Sequence, residues 1–330
     1  MALQAATFGV AAYSFPCSCG LALRDHRPAV AQPMDAWGLI DLAARHRLSG
    51  VEMPLTLLPD RSPATIERLR SALEEHSLSL VVDTGIVQTE TLAPLLPVAA
   101  STGARTVRAL LSSTLEGARG DLHAWQERLD GIRRTIDELL PLLEEYDLVL
   151  ALENHQDASS DDLLALCERG AGRVGVTFDV VNALAVGEEP FAFARKLGAH
   201  IRNVHLKDYL IFPTPSGYRL VRCALGEGVV EWPAMFALLR EIAPQATQHI
   251  ELAALYGRHI RLFEPEWWNG FPARDVREVV PALRLLAAHA QPAGAAWQTC
   301  WELDAPGEQV AQWERDQFEA SVRFLRSIAA

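Results

Sequence analysis

Nowhere do the 330 residues contain an apolar run of membrane length. The opening MALQAATFGVAAYSF also lacks the basic n-region of a secretory leader, so it reads as a first strand in a cytoplasmic protein. Basic charge is outweighed: 30 Lys and Arg face 42 Asp and Glu, and a formal net charge of −12 argues against nucleic acid as a partner, because phosphate binding needs a basic surface. Five cysteines form no disulfide framework. Cys17 and Cys19 stand too close together for a zinc knuckle, Cys167 falls in a helical pattern, and Cys223 and Cys300 are isolated, which suits reduced thiols. A G-x-G-x-x-G after the first strand is missing, which weakens a nucleotide-binding doubly wound sheet. Gly/Ser linkers, low-complexity tracts and internal repeats are missing too, so one domain is expected over 1–330.

What is present is an alternation. Short β-rich apolar runs at 7–12, 50–53, 78–83, 106–109, 148–153, 174–178, 201–206 and 248–252 predict strands. Amphipathic stretches at 34–46, 64–76, 92–102, 122–146, 161–169, 190–197, 233–242 and 308–328 predict helices. Eight strand–helix units in an apolar-rich chain (49% hydrophobic) predict an α/β fold, a closed parallel (β/α)8 TIM barrel. The rhythm breaks at 255–306, where a long loop after strand 8, containing EPEWWNGFPAR, has the character of a lid or binding element.

Chemistry enters where polar residues punctuate the last four apolar runs. Strand five ends LVLALENHQD, strand six VGVTFDVVN, strand seven IRNVHLKD and strand eight QHIEL. Each places a carboxylate or imidazole near its C-terminal end: Glu153, Asp179, His205 and Glu251. In a barrel that end is the active-site face, and strands about 4.8 Å apart let these side chains converge. Three carboxylates in a buried mouth repel one another. A divalent cation removes the repulsion, and this oxygen and nitrogen set accepts Mn²⁺, Mg²⁺, Co²⁺ or Zn²⁺, of which Mn²⁺ is the one expected here. Taken singly, each residue has a plainer reading as a cap, a solvated loop residue or a satisfied core histidine. Four on successive strands, at one end, point to a metal site.

Strand parity puts His155 on the side of Glu153, as a general base or a hydrogen-bond partner, and Lys207 on the side of His205. Lys207 would polarise a substrate oxygen or pair with Asp208 or Glu153. Asn182 follows Asp179 by three and would bind a substrate hydroxyl or cap a turn; His249 shares the parity of Glu251 but reads as structural. Trp267, Trp268, Phe271 and Arg274 would stack on a sugar ring or pack the loop onto the rim. LGEG at 225–228 reads as a turn before helix seven. Arg222, Arg258, Arg261 and Arg274 are available for a phosphorylated substrate, without a spacing that places them around one point.

ENHQD (153–157), FDVVNALA (178–185), VHLKD (204–208) and LGEG together resemble the xylose isomerase-like barrel superfamily, in particular its sugar phosphate isomerases/epimerases. The resemblance implies one divalent metal held by Glu153, Asp179, His205 and Glu251. Ketose 3-epimerases of that superfamily carry a His where this chain has Asn182. The endonuclease IV class uses three zinc ions and many more His ligands. The Glu-x-His element ENH also looks like the metal-binding subunit of C-glycoside deglycosidases, which work with a small β-rich partner subunit.

Both enzyme readings begin with proton removal from carbon beside a carbonyl. As an isomerase or epimerase, Glu153 and Glu251 would exchange the proton through an enediolate. As a lyase, His155 would deprotonate the second carbon of a 3-oxo glycoside and the aglycone would leave by β-elimination. The non-enzyme reading is a sugar-binding barrel without catalysis. A small-molecule sugar or glycoside is the expected ligand, with neither membrane nor nucleic acid as partner, and a homo-oligomer is compatible with all three.

Overall fold

A computed structural model describes residues 8–253 and 255–329. Eight parallel strands close into a barrel: β1 (Gly9–Ala11), β2 (Gly50–Pro54), β3 (Ser79–Ile86), β4 (Thr106–Leu110), β5 (Val149–Glu153), β6 (Val174–Asp179), β7 (Ile201–Leu206) and β8 (Thr247–Ile250), with β8 returning to β1. The predicted barrel is therefore the observed one. The strand expected at 7–12 is Gly9–Ala11, and Thr7 lies outside the described residues.

Parallel strands covered by helices are buried on both faces, which is why β5 and β6 read as almost unbroken apolar runs. Helices pack outside with their apolar stripes inward, as in Leu122–Glu145, which buries Trp125, Leu129, Ile132, Ile136, Leu139 and Leu143. Their starts are fixed by side chains. Ser159 and Asp162 form a reciprocal capping box at the head of Ser160–Arg169. The helix expected at 92–102 is two short ones, Thr89–Leu92 and Leu96–Ser101, because Pro94 and Pro97 have no N–H to continue the ladder.

Two additions crown the C-terminal end of the barrel. Directly after β7 the chain forms a hairpin, Asp208–Thr214 and Gly217–Cys223, which the sequence reading did not anticipate. The long segment after β8 is not structureless: Arg258–Ile260 joins that hairpin as a third strand, Pro265–Gly270 is a 3-10 turn, and Val276–Ala288 is a helix. The helix Gly307–Ala329 then closes the chain. Gly117 locks this crown to the barrel. Its φ of +66° suits glycine, and a Cβ there would lie 2.3 Å from Ala185 O and 2.4 Å from Trp267 Cζ2. Among the described residues no helix is long and apolar enough to cross a membrane.

Candidate metal centre and active site

The site grows out of strand ends. Glu153 is the last residue of β5 and Asp179 the last of β6, while His205 in β7 pairs in register with Asp179. Glu251 follows the end of β8, where its N–H donates to Leu206 O at 3.0 Å. One ligand atom from each of Glu153, Asp179 and His205 lies within 4.8 Å of the other two, and all three residues are buried. Glu251 joins them through Lys207, whose Nζ is 2.7 Å from Asp179 Oδ2 and 2.5 Å from Glu251 Oε2.

The partners expected for Lys207, Asp208 and Glu153, are thus replaced by Asp179 and Glu251. Alternation along the strand turns Asp208 away from the mouth. There it accepts from the N–H groups of Gly226 and Val229 and from Trp232 Nε1, fastening the 225–228 turn ahead of the helix Trp232–Ile242.

Beneath the three lies a polar floor to which both the early strands and β7 and β8 contribute. Glu52 of β2 contacts His205 Nε2 at 2.8 Å and accepts from Asn203 Nδ2 at 2.7 Å; Asn203 Oδ1 lies 2.9 Å from His249 Nδ1. Burial pushes the Glu52 carboxyl up, but His205 overrides it and holds the group at about 2. Burial also pushes the His249 imidazole down to about 4, so it stays neutral, in keeping with a structural role. Arg108 of β4 bridges Asp83 of β3, at 2.5 Å, and Glu153. Burial raises Asp83 to about 7 despite Arg108, and raises Asp179 to about 7 despite Lys207.

A cation fits this centre on its donor chemistry. Asp179 Oδ1 and His205 Nδ1 are buried without a hydrogen-bond partner among the described residues. Because Glu52 holds Nε2, the free Nδ1 faces Glu153, 3.7 Å from Oε2, in the carboxylate–histidine arrangement that orients metal-ligating imidazoles. The cluster could hold a divalent ion.

The remaining expectations divide. His155 lies two residues beyond Glu153; burial depresses it to about 4, and its Nδ1 is buried without a partner. Asn182 donates to Asp179 Oδ2 at 2.8 Å, and its Oδ1 lies 3.4 Å from Tyr209 Oη. Trp267 and Trp268 donate their indole N–H groups to Glu116 O and Leu262 O, and Arg274 donates to Val186 O at 2.6 Å. All three thus have their polar atoms anchored to the backbone of the rim. Glu52, Asp83, Arg108 and Asn154 were not anticipated. Asn154 clamps the backbone of Asp179 from both sides, donating to its O at 2.9 Å and accepting from its N at 2.7 Å.

Asp157, at the rim, supplies a pH test independent of the ligands. Its carboxylate accepts from Ser112 Oγ at 2.6 Å and Ala158 N at 2.8 Å, yet burial raises it to about 7. A folded value above the unfolded one means the fold retains a proton that the unfolded chain releases. Its contribution is therefore complete below about 4 and declines as pH rises to about 7, by roughly 1.4 kcal/mol per pH unit at most. Asp157→Asn should match the parent at pH 4 and exceed it by a few kcal/mol at pH 8. Denaturant melts at both pH values decide; an equal difference at both would show an ionised carboxylate in the fold.

Fold and site together define a (β/α)8 barrel with a candidate divalent-metal centre at its C-terminal mouth. The chain belongs to the xylose isomerase-like TIM barrel family, whose model matches residues 40–251. It is 25% identical over 193 residues to a 3-oxo-isoapionate decarboxylase of Pectobacterium atrosepticum, covering 58% of this chain and 67% of that protein. It is also 25% identical over 262 residues to the uncharacterized protein YihM of Escherichia coli, covering 76% and 78%. Among solved structures it resembles the 3-keto-D-glucoside 4-epimerase YcjR of E. coli, with a TM-score of 0.53 at 13% identity over 86% of this chain and 99% of that one.

Proposed function

We propose that this protein is a divalent-metal-dependent sugar isomerase or epimerase, which moves a proton at a carbon beside a carbonyl by way of an enediolate. The observation that supports it most is the convergence of Glu153, Asp179 and His205 at the barrel mouth, with Lys207 joining Asp179 to Glu251. In this reading those three residues and Glu251 hold one divalent ion, Mn²⁺ by preference. Such an ion supplies positive charge opposite the substrate oxygens on which negative charge develops.

The chain's own groups do the rest. Glu153 and Glu251 enter from separate strands and act from opposite sides of the reacting carbon, one accepting a proton and the other returning one. Lys207 donates to a substrate oxygen, and Asn182, tied to Asp179, offers its amide to a hydroxyl. Trp267, Trp268 and Arg274 hold the rim against which the sugar lies. The test is proton exchange at carbon, followed by NMR in D₂O with the Mn²⁺-loaded protein. Deuterium entering a ketose beside its carbonyl, with a new epimer or aldose, is the expected result; no exchange with any ketose sinks the proposal.

A second reading, a lyase acting on a 3-oxo glycoside with a small β-rich partner subunit, is favoured by one observation. The Nδ1 of His155, buried without a hydrogen-bond partner two residues beyond Glu153, is the candidate base. The relative named as a 3-oxo-isoapionate decarboxylase is in keeping with a 3-oxo substrate. His155→Ala separates the two readings. If the lyase reading holds, aglycone release falls about 10²–10⁴-fold with Mn²⁺ still bound, as expected for removal of a general base. If the isomerase reading holds, ketose exchange survives the substitution.

A further inference from the structure

The three-stranded sheet over the mouth has a distinctive inner face. Register sets Tyr209 opposite Arg222, Ile211 opposite Leu220, and Leu220 opposite Arg258, so these side chains share one side of the sheet. Tyr209, Ile211, Leu220 and Arg222 are all buried, and the reach of Tyr209 identifies that side as the one turned onto the barrel. Tyr209 Oη reaches Asn182 and Gln156 there, at 3.4 Å each. The four arginines that the sequence left scattered are thereby sorted. Arg261 pairs with Glu116 at 3.2 Å, and Arg274 with Val186 O and Glu188, both at the rim. Arg222 and Arg258 face inward.

Cations at the mouth are otherwise neutralised: Arg108 by Asp83 and Glu153, Lys207 by Asp179 and Glu251. Arg258 differs. Among the described residues no carboxylate pairs with it, and its Nε is buried with no hydrogen-bond partner. It is close enough for its charge to bear on both His155 and Tyr209. Arg222 donates from Nε to Gln317 Oε1 at 2.7 Å and from Nη2 to Ser14 O at 3.3 Å and stacks on Trp313, which leaves Nη1 buried and unpartnered. Buried guanidinium nitrogens without acceptors are costly, and that cost is removed by an oxyanion brought in from outside.

We infer that the inner face of this sheet is an anion-recognition subsite: Arg258, with Arg222 on the same face, receives a carboxylate or phosphate carried by the substrate away from its reacting carbon. The inference rests on the sugar-processing centre proposed above, and narrows its substrates to anionic sugars. It also assigns the hairpin and the 258–260 strand a task, since both arginines lie outside the eight barrel strands.

The test is calorimetric binding of three polyols of matching length, D-sorbitol, D-gluconate and D-sorbitol 6-phosphate, to the Mn²⁺-loaded protein. One of the two anions should bind at least about tenfold tighter than sorbitol, and that advantage should shrink with added salt. Which anion wins tells carboxylate from phosphate. Arg258→Gln should erase the advantage while sorbitol binding is unchanged, and Arg258→Lys, which keeps the charge, should retain part of it. Equal binding of all three polyols, no binding of any, or an anion advantage that survives Arg258→Gln each overturns the inference. A parallel Mn²⁺ titration separates the two proposals. Normal Mn²⁺ uptake with no anion advantage removes only this subsite, whereas no Mn²⁺ uptake removes the centre beneath it.

Discussion

Glu153→Gln should leave a folded protein that no longer retains a divalent ion and no longer turns over substrate. Two effects compete at this residue, and their sizes decide the outcome. On the stability side, Gln keeps an oxygen within reach of Arg108, and Asp83 still neutralises the guanidinium at 2.5 Å. On the metal side, the site loses one full ligand charge from a cluster of three that lie within 4.8 Å of one another. Loss of supporting partners alone typically weakens metal affinity about 10–100-fold, so loss of a ligand should exceed about 100-fold. Mn²⁺ titration by electron paramagnetic resonance reads the affinity, D₂O exchange reads the chemistry, and a thermal melt reads the fold. Retained Mn²⁺ affinity would remove Glu153 from the ligand set.

Arg108→Met should have the largest effect on stability. Arg108 lies inside the barrel between Asp83 and Glu153, with all three side chains less than a tenth exposed. Removing one member of a buried ion network leaves the others uncompensated, at a cost of about 3–5 kcal/mol, or roughly 4–7 °C in a chain of this size. The direction with pH follows from Asp83. Burial already raises it to about 7 with Arg108 beside it, and without the guanidinium it moves further up. The deficit of the variant is therefore smaller at pH 5, where Asp83 is protonated in both folds, and grows as pH rises past 7. Melts of parent and variant at pH 5 and pH 8 check this. A deficit equal at both would show that loss of packing, rather than loss of charge, dominates.

These two residues mark the boundary of what the sequence made legible. Glu153 stands out because it terminates an apolar run and is echoed by Asp179, His205 and Glu251 at the same end of the next three strands. Arg108 in TVRAL and Glu52 in GVEMP sit inside apolar runs, and parity alone does not tell a lumen-facing charge from a solvent-facing one until the register of the barrel is known. Buried charge in β2, β3 and β4 was nonetheless a usable signal, since strands covered on both faces have no solvent side for a charge to occupy. The crown was hidden for another reason. Strand seven runs on into DYLIFPT, and the PSG turn was the one local sign that the chain doubles back. The partner of the third strand lies some forty residues away in sequence, beyond the reach of any local pattern. For Lys207, parity along the strand gives the side of His205, but its partners Asp179 and Glu251 come from strands whose relative height only the register defines.

The division between barrel and crown bears on how this protein can diversify. Every proposed ligand stands on a barrel strand or at its very end, and the floor beneath them comes from strands as well. The two inward arginines stand on segments that follow β7 and β8 and pair with each other rather than with the barrel. Mutational drift, insertion or exchange in those two segments therefore re-tailors which molecule is admitted while the reactive apparatus remains intact. A lineage built this way can change the ligands it admits by editing two stretches of its gene and preserving the rest.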